Sequence, residues 1–107
     1  MKQVKITVIR KADYKDLQQH YENPIQHACD LSEGMTWIST NGEIPEGFCI
    51  EAWKSMREFV EALANGGGNF FASTPDGNDG WMRNPNSAMI SCNDGFRPVS
   101  FLLETIE

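Results

Sequence analysis

The sequence predicts an α+β domain in which a small four-stranded sheet packs against one long and one short helix. The long helix is predicted over Cys49–Ala64, where apolar residues recur at i, i+3, i+4 and i+7 and a glycine run follows. Alternating stretches rich in β-branched residues precede and follow this helix, and a turn separates the last two, which predicts a C-terminal hairpin. At 107 residues, the chain is expected to form a single domain spanning 1–107.

The N-terminal elements are predicted to be a strand, a short helix and a second strand. The first strand covers Lys2–Lys11, where β-branched residues alternate with polar ones. Asp13, a favoured N-cap residue, is expected to open the short helix, and Pro24 to end it, since proline cannot continue a helix. The second strand is predicted over Met35–Thr40 and leads into an Asn-Gly turn signal.

The C-terminal elements are the long helix and two further strands. The apolar positions of the helix form one broad stripe that must be buried against the rest of the chain. The third strand is predicted over Ala88–Cys92 and the fourth over Phe96–Ile106, with a turn between them in which Gly95 supplies a positive φ. This order of elements leaves open whether the sheet is mixed or wholly antiparallel.

The charge balance of the chain is acidic, with a net charge of −6 at pH 7. Nucleic-acid binding needs Lys and Arg side chains against phosphates, and an anionic membrane surface needs them against lipid headgroups, so neither partner is expected. The sequence has no apolar run of membrane-spanning length and no signal-peptide core after Met1, so the expected location is cytoplasmic. Composition leaves open whether the protein is a homo-oligomer and whether it is an enzyme.

The chain contains three cysteines, Cys29, Cys49 and Cys92, each predicted to lie at the edge of an element. An odd number of cysteines in a reducing compartment favours free thiols or metal ligands over a disulfide framework. Cys49 falls in the first turn of the long helix, and a helix N-terminus favours the thiolate form of a cysteine. If the three sulfurs converge, they suit a tetrahedral zinc or a ferrous site with the nearby His27 as fourth ligand.

These residues predict a small cytosolic thiol-site protein that binds a metal, zinc or iron, or responds to redox state. The ordinary alternative is that the cysteines are small hydrophobic side chains in the core, where free cysteine is commonly found. A weaker alternative is an enzyme in which Cys49 is a nucleophile, although no ordered arrangement of Cys, His and an acid requires it.

A second candidate site is the turn that contains Asp94 and Arg97. The two side chains are expected either to pair across the turn or to leave the Arg97 guanidinium facing a carboxylate or phosphate ligand. The ordinary alternative is a hairpin turn with a surface ion pair, which contributes little to stability.

The longest stretch without a predicted helix or strand runs from about Asn65 to Asn86. Loops of this length are uncommon in a compact domain and are usually functional or mobile. This one carries Phe70, Phe71 and Trp81, which suggests that it packs against the domain. The alternative function is therefore a non-catalytic binding or assembly module that uses the aromatic, glycine-rich loop at 66–86.

Several segments spread over nearly the whole chain carry a family resemblance. They are Val4-Lys5-Ile6-Thr7-Val8, Cys29 followed by Gly34, Pro45-Glu46-Gly47-Phe48-Cys49 with Ala52-Trp53, and Cys92-Asn93-Asp94-Gly95-Phe96-Arg97-Pro98-Val99 followed by Phe101 and Glu104. Together they resemble a family of uncharacterised short prokaryotic proteins, each about one such domain long, and the last segment is the most specific. The residue after the first cysteine, often proline in that family, is Asp30 here, and the loop at 66–86 is longer. The resemblance implies a compact domain and directs attention to the three cysteines, but it implies no reaction.

Overall fold

Six helices and strands follow one another along the described part of the chain, which is residues 1–25, 29–76 and 79–106 of a computed structural model. Their bounds are β1 (Gln3–Lys11), α1 (Lys15–Tyr21), β2 (Thr36–Ser39), α2 (Ile50–Ala64), β3 (Ser87–Ser91) and β4 (Val99–Ile106). This confirms the predicted α+β fold with its four-stranded sheet, its long and short helices and their order. The largest difference is the start of β4, which begins at Val99 rather than Phe96.

The sheet has the strand order β2-β1-β4-β3, and every neighbouring pair is antiparallel. The first and last strands of the chain therefore pair with each other in the middle of the sheet. A bulge between Val8 and Arg10 shifts the register of β1 against β4 near its end. The strands β3 and β4 form the predicted C-terminal hairpin. The sequence left open whether the sheet is mixed or antiparallel, and the sheet is wholly antiparallel.

The core lies between α2 and one face of the sheet. The helix packs on β1, β3 and β4 and buries the predicted apolar stripe, namely Ala52, Trp53, Met56, Val60, Leu63 and Ala64. Alternate strand residues meet this stripe because successive side chains point to opposite faces of a sheet. They are Val4, Ile6, Val8, Ala88, Ile90, Val99, Phe101 and Leu103, all buried.

The short helix α1 lies beside the turn between β3 and β4 and buries none of its own side chains. Its N-cap residue is Tyr14, with no side-chain capping bond, so the prediction that Asp13 is the N-cap is wrong. The Asp13 carboxylate instead accepts a hydrogen bond from the side chain of Gln18. The amide of Tyr14 donates to the carbonyl of Phe96 over 2.9 Å, which ties the start of the helix to the turn.

A helix that crosses a membrane must be both long and apolar. Among the described residues, the two helices run over Lys15–Tyr21 and Ile50–Ala64, and neither has the length and apolar character needed to cross a membrane.

Candidate functional site

The three cysteines line one cavity of about 330 Å³. The cavity lies where three separate parts of the chain meet: the N-terminal end of α2 with Cys49, the end of β3 with Cys92, and the segment before β2 with Cys29. Asp94 and Arg97, from the turn between β3 and β4, line the same cavity. The structure therefore brings together five of the six residues singled out from the sequence.

Cys49 is held at the cavity by the approach of the chain to α2. It is the N-cap residue of that helix, and its carbonyl accepts the amide of Trp53 over 2.9 Å. Phe48, one residue earlier, is buried and packs against Trp37 and Phe101 with ring-centre distances of 4.9 and 5.7 Å. A buried Phe48 fixes the backbone and leaves the Cys49 side chain exposed at the helix end.

Cys92 follows β3 directly and is the half-buried member of the three. Its amide donates to the carbonyl of Val99 over 3.0 Å, and its Sγ accepts the Val99 amide over 3.3 Å. The backbone of β4 thus orients this sulfur. A sulfur that already accepts one hydrogen bond from a backbone amide has a defined position at the cavity wall.

The turn after Cys92 is closed by the Asp94 side chain rather than by a glycine in the left-handed region. The Asp94 Oδ1 accepts the amides of Phe96 and Arg97 over 2.8 and 3.2 Å. The prediction that Gly95 supplies a positive φ is wrong, since the positive-φ residues of the described chain do not include it. The Asp94 carboxylate therefore has a structural role at the cavity rim, with Asn and Asp side chains commonly forming such turns.

Cys29 reaches the cavity from an irregular segment. Its carbonyl accepts the ammonium group of Lys11 over 3.2 Å, which attaches the segment to the end of β1. Leu31, two residues later, is partly buried against the core and forms an apolar part of the cavity wall. The Cys29 side chain is exposed. His27, the predicted fourth metal ligand, lies outside the described residues.

A metal site needs several ligating side chains close together. Among residues 1–25, 29–76 and 79–106, no group of three or more His, Cys, Asp or Glu side chains lies close enough together to hold a metal ion. The cavity has the volume of a small ligand pocket, for which about 300 Å³ is the usual lower bound.

Arg97 faces helix α1 rather than Asp94. Its two terminal nitrogens each lie 2.9 Å from a different carboxylate oxygen of Glu22, so the ion pair is bidentate. The second of these nitrogens also donates to the Gln18 side-chain oxygen over 2.8 Å. The hydrogen bond to the Glu22 carboxylate raises the pKa of Arg97 above its ordinary value. The guanidinium thus joins α1 to the turn instead of pairing across it.

Sequence reasoning missed Glu22 and Gln18 as partners of Arg97. Glu22 is 75 positions from Arg97 in the chain, and no motif or spacing connects the two. The pairing of β1 with β4 places α1, which follows β1, beside the turn that precedes β4.

The loop between α2 and β3 forms a separate aromatic cluster. Phe70 packs on Phe59 of α2 with 5.0 Å between ring centres, which confirms that the loop packs against the domain. Phe71 and Trp81 form an edge-to-face pair at 5.3 Å, but they remain 74% and 48% exposed. Phe71 adopts a φ of 59°, which is rare for a bulky side chain and marks local backbone strain.

The tip of this loop is organised by the Asp79 carboxylate. It accepts the Ser73 amide over 3.1 Å and the Thr74 hydroxyl over 3.0 Å, and it also accepts the Ser73 hydroxyl. These side-chain hydrogen bonds, which favour the charged form, lower the pKa of Asp79 to about 2.

Comparisons with known proteins were made at three levels. A scan against protein-family models finds no match for this chain. Searches of curated proteins and of solved structures find no match either. The case for any function therefore rests on the residues of this chain.

Proposed function

We propose that this protein is a thiol-site protein in which Cys29, Cys49 and Cys92 act together, either binding zinc or iron or responding to redox state. The observation that supports the proposal is that three cysteines from three distant segments line one cavity. His27 belongs to the proposed ligand set on its position in the sequence. A cytoplasmic location, in which thiols stay reduced until an oxidant or metal reaches them, is part of the proposal.

The exposure of the cysteines favours this function over the core alternative. A cysteine that serves as a small hydrophobic side chain is expected to be fully buried. Here Cys29 and Cys49 are exposed and Cys92 is half-buried. Thiols that solvent reaches at the rim of a shared cavity are accessible to an oxidant or a metal ion.

In the redox form of the proposal, a peroxide oxidises two of the three thiols to a disulfide. Each thiol gives up one proton and one electron, and an S–S bond forms between the two sulfurs. The O–O bond of hydrogen peroxide breaks and two water molecules leave. In the metal form, the three cysteines must come closer together than they lie in the described structure. Their thiolates then bind the ion and their protons are released to solvent.

The experiment combines elemental analysis with thiol titration on the full chain, purified without oxygen or chelator. The variants are Cys29→Ser, Cys49→Ser and Cys92→Ser. The control is Ser32→Ala, which changes an exposed residue three positions after the cavity residue Cys29. Thiols are counted in the native and unfolded states, before and after one equivalent of hydrogen peroxide.

The two forms give different results. Metal binding gives near-stoichiometric zinc or iron that each cysteine variant loses and the control retains. Redox response gives a loss of two thiols per chain on oxidation, reversed by a thiol reductant and abolished in at least two of the three variants. A protein that carries no metal and whose thiols oxidise independently in every variant would contradict the proposal.

A second function, a non-catalytic binding or assembly module, is supported by the exposed pair of Phe71 and Trp81. Backbone strain at an exposed aromatic residue favours a role for its ring in contact with another molecule. Phe71→Ser and Trp81→Ser are expected to remove self-association or partner capture while leaving the unfolding temperature nearly unchanged. Light scattering that is the same for wild type and both variants would exclude self-association through this pair.

We also propose that the chain belongs to the family of short prokaryotic proteins that its sequence resembles. The segment Cys92–Val99 carries it. In this structure that segment supplies one thiol, the carboxylate that closes the turn and the guanidinium that holds α1.

A further inference from the structure

Helix α2 covers only one face of the sheet. The buried residues of β1 are Val4, Ile6 and Val8, which face α2, while Gln3, Lys5 and Thr7 between them are partly exposed. In the described part of the chain, the other helix, α1, buries no side chain and so does not cover the second face. The β3 corner of this face is covered, because Ser87, opposite Glu104, is 2% exposed and donates its hydroxyl to the carbonyl of Asn84. We call this second face the bare face and define it by Lys5, Thr7, Ile38, Met89, Leu102 and Glu104.

The middle of the bare face is apolar. Leu102 of β4 lies between Thr7 of β1 and Met89 of β3 in the strand register. On the edge strand β2, Ile38 is 41% exposed and lies opposite Lys5. Thr7 and Thr36 continue the row of Leu102 and Met89 onto β1 and β2, while Ile38 lies in the next row with Lys5 and Glu104. Apolar side chains grouped on an uncovered sheet face are typical of a surface that meets another protein.

The charges next to this row are of opposite sign. Lys5 of β1 lies directly opposite Glu104 of β4, and Arg10 lies opposite Ser100 further along the same strands. The bare face therefore carries no excess of negative charge, although the whole chain has a net charge of −6. Two copies that each carry a net charge of −6 repel each other, and a contact through the bare face adds no further contact between like charges.

The size of the bare face matches what a dimer needs. Strands about 4.8 Å apart with a rise of about 3.4 Å per residue give the whole uncovered side of the sheet, with the bare face at its centre, roughly 400 Å² in projection. Side-chain surface exceeds its projection, so two such faces bury on the order of 1,000 Å² in total, the size at which specific interfaces begin.

We propose that two copies of this chain dock bare face to bare face as a two-fold dimer. A two-fold axis pairs the same patch on both copies, so a patch with Lys5 beside Glu104 can place each charge near its opposite on the second copy. The row of Thr7, Leu102 and Met89 then lies at the centre of the interface, with Lys5 and Glu104 in the next row.

The mass of the full chain in solution, measured by light scattering across a concentration series, tests this proposal. The wild-type protein is expected to reach twice the 12.0 kDa chain mass as concentration rises. Lys5→Glu and Glu104→Lys each place like charges across the interface and are expected to lower the association constant by more than about tenfold. Lys54→Glu makes the same charge change on the exposed side of α2 and is expected to leave association unchanged.

An equimolar mixture of the Lys5→Glu and Glu104→Lys variants gives the decisive result. At a concentration where the wild type begins to dimerise, each variant alone is expected to be mostly monomeric. The mixture is expected to restore the dimer because each copy carries the charge that the other lacks. A charge effect confined to one chain does not predict this rescue. Ile38→Glu, at an exposed edge position, provides a further interface variant should either charge variant fail to fold.

Three results would overturn the proposal. One is a wild-type mass of 12.0 kDa at every concentration, which would leave the bare face to another partner or to solvent. Another is a wild-type dimer whose association constant changes in none of the bare-face variants. The third is a mixture that stays monomeric, which would exclude the two-fold pairing of Lys5 with Glu104.

Discussion

The buried hydroxyl of Thr105 is expected to lower the free energy of unfolding. Thr105 lies opposite Val4 in the register of β1 and β4, with its side chain on the face that α2 covers. Its hydroxyl oxygen is buried and has no hydrogen-bond partner in the described part of the chain. Valine has the same branched shape and lacks the hydroxyl, so Thr105→Val is expected to stabilise the protein.

The size of this gain follows from the environment of one atom. A buried polar group without a partner costs about 1–3 kcal/mol. Thr105 as a whole is half-buried, which places the expected gain at the lower end, about 1 kcal/mol. For a domain of this length, a gain of that size raises the unfolding temperature by about 4 °C.

Urea unfolding followed by circular dichroism measures the effect. The midpoint is expected to rise in Thr105→Val while the dependence of the unfolding free energy on urea stays the same, because the surface exposed on unfolding is unchanged. Thr105→Ser is the matched control, since it keeps the hydroxyl and removes the methyl group, and it is expected to lower the midpoint. A midpoint of Thr105→Val at or below that of wild type would mean that the hydroxyl has a partner in solution, which would refute the reasoning.

Three further predictions concern the core and the loop. Met56→Ala removes a fully buried side chain of α2 and is expected to lower the unfolding free energy by about 2–5 kcal/mol in the same urea assay. Gly68→Ala places a Cβ against a backbone carbonyl oxygen and should cost more than about 1 kcal/mol, whereas Gly95→Ala meets open space and should be nearly neutral by thermal unfolding. The pKa of Asp79 is lowered to about 2, so the order it gives the loop is present above pH 3.8 and lost as pH falls through about 2. The amide resonance of Ser73, which donates to that carboxylate, should follow this titration by NMR, and an amide that titrates near 3.8 would contradict the assignment.

The fold was largely predictable because its elements have strong local signals. The stripe of α2 and the alternation in β1 come from residues three, four or two positions apart, and local geometry alone sets those periods. The start of β4 was harder to locate. Phe96 has a strand-like side chain, but its amide donates to Asp94, and Pro98 has no amide to donate, so the ladder begins only at Val99.

The candidate site was predictable only residue by residue. The sequence placed Cys29, Cys49 and Cys92 at the edges of elements, but whether the edges meet depends on the order of strands in the sheet. Packing of α2 on β3 brings the N-terminal end of α2 to the end of β3. Pairing of β1 with β4 brings in the end of β1, to which the Cys29 segment is bonded, and no local pattern encodes either contact. The same long-range pairing hides the contact of Arg97 with Glu22 from any sequence motif.

The thiol cavity and the bare face have one structural origin, the single layer of helix on the sheet. At the N-terminal end of α2, where Cys49 is the N-cap, the sheet extends beyond the helix and leaves a cavity that the three cysteines line. Where α2 is absent, on the opposite side of the sheet, the row through Leu102 stays partly exposed. A dimer formed through that row does not cover the cavity, because the sheet itself separates them. Thiol chemistry and association can therefore change independently, and a variant at Lys5 that altered both would show that the sheet couples the two sides.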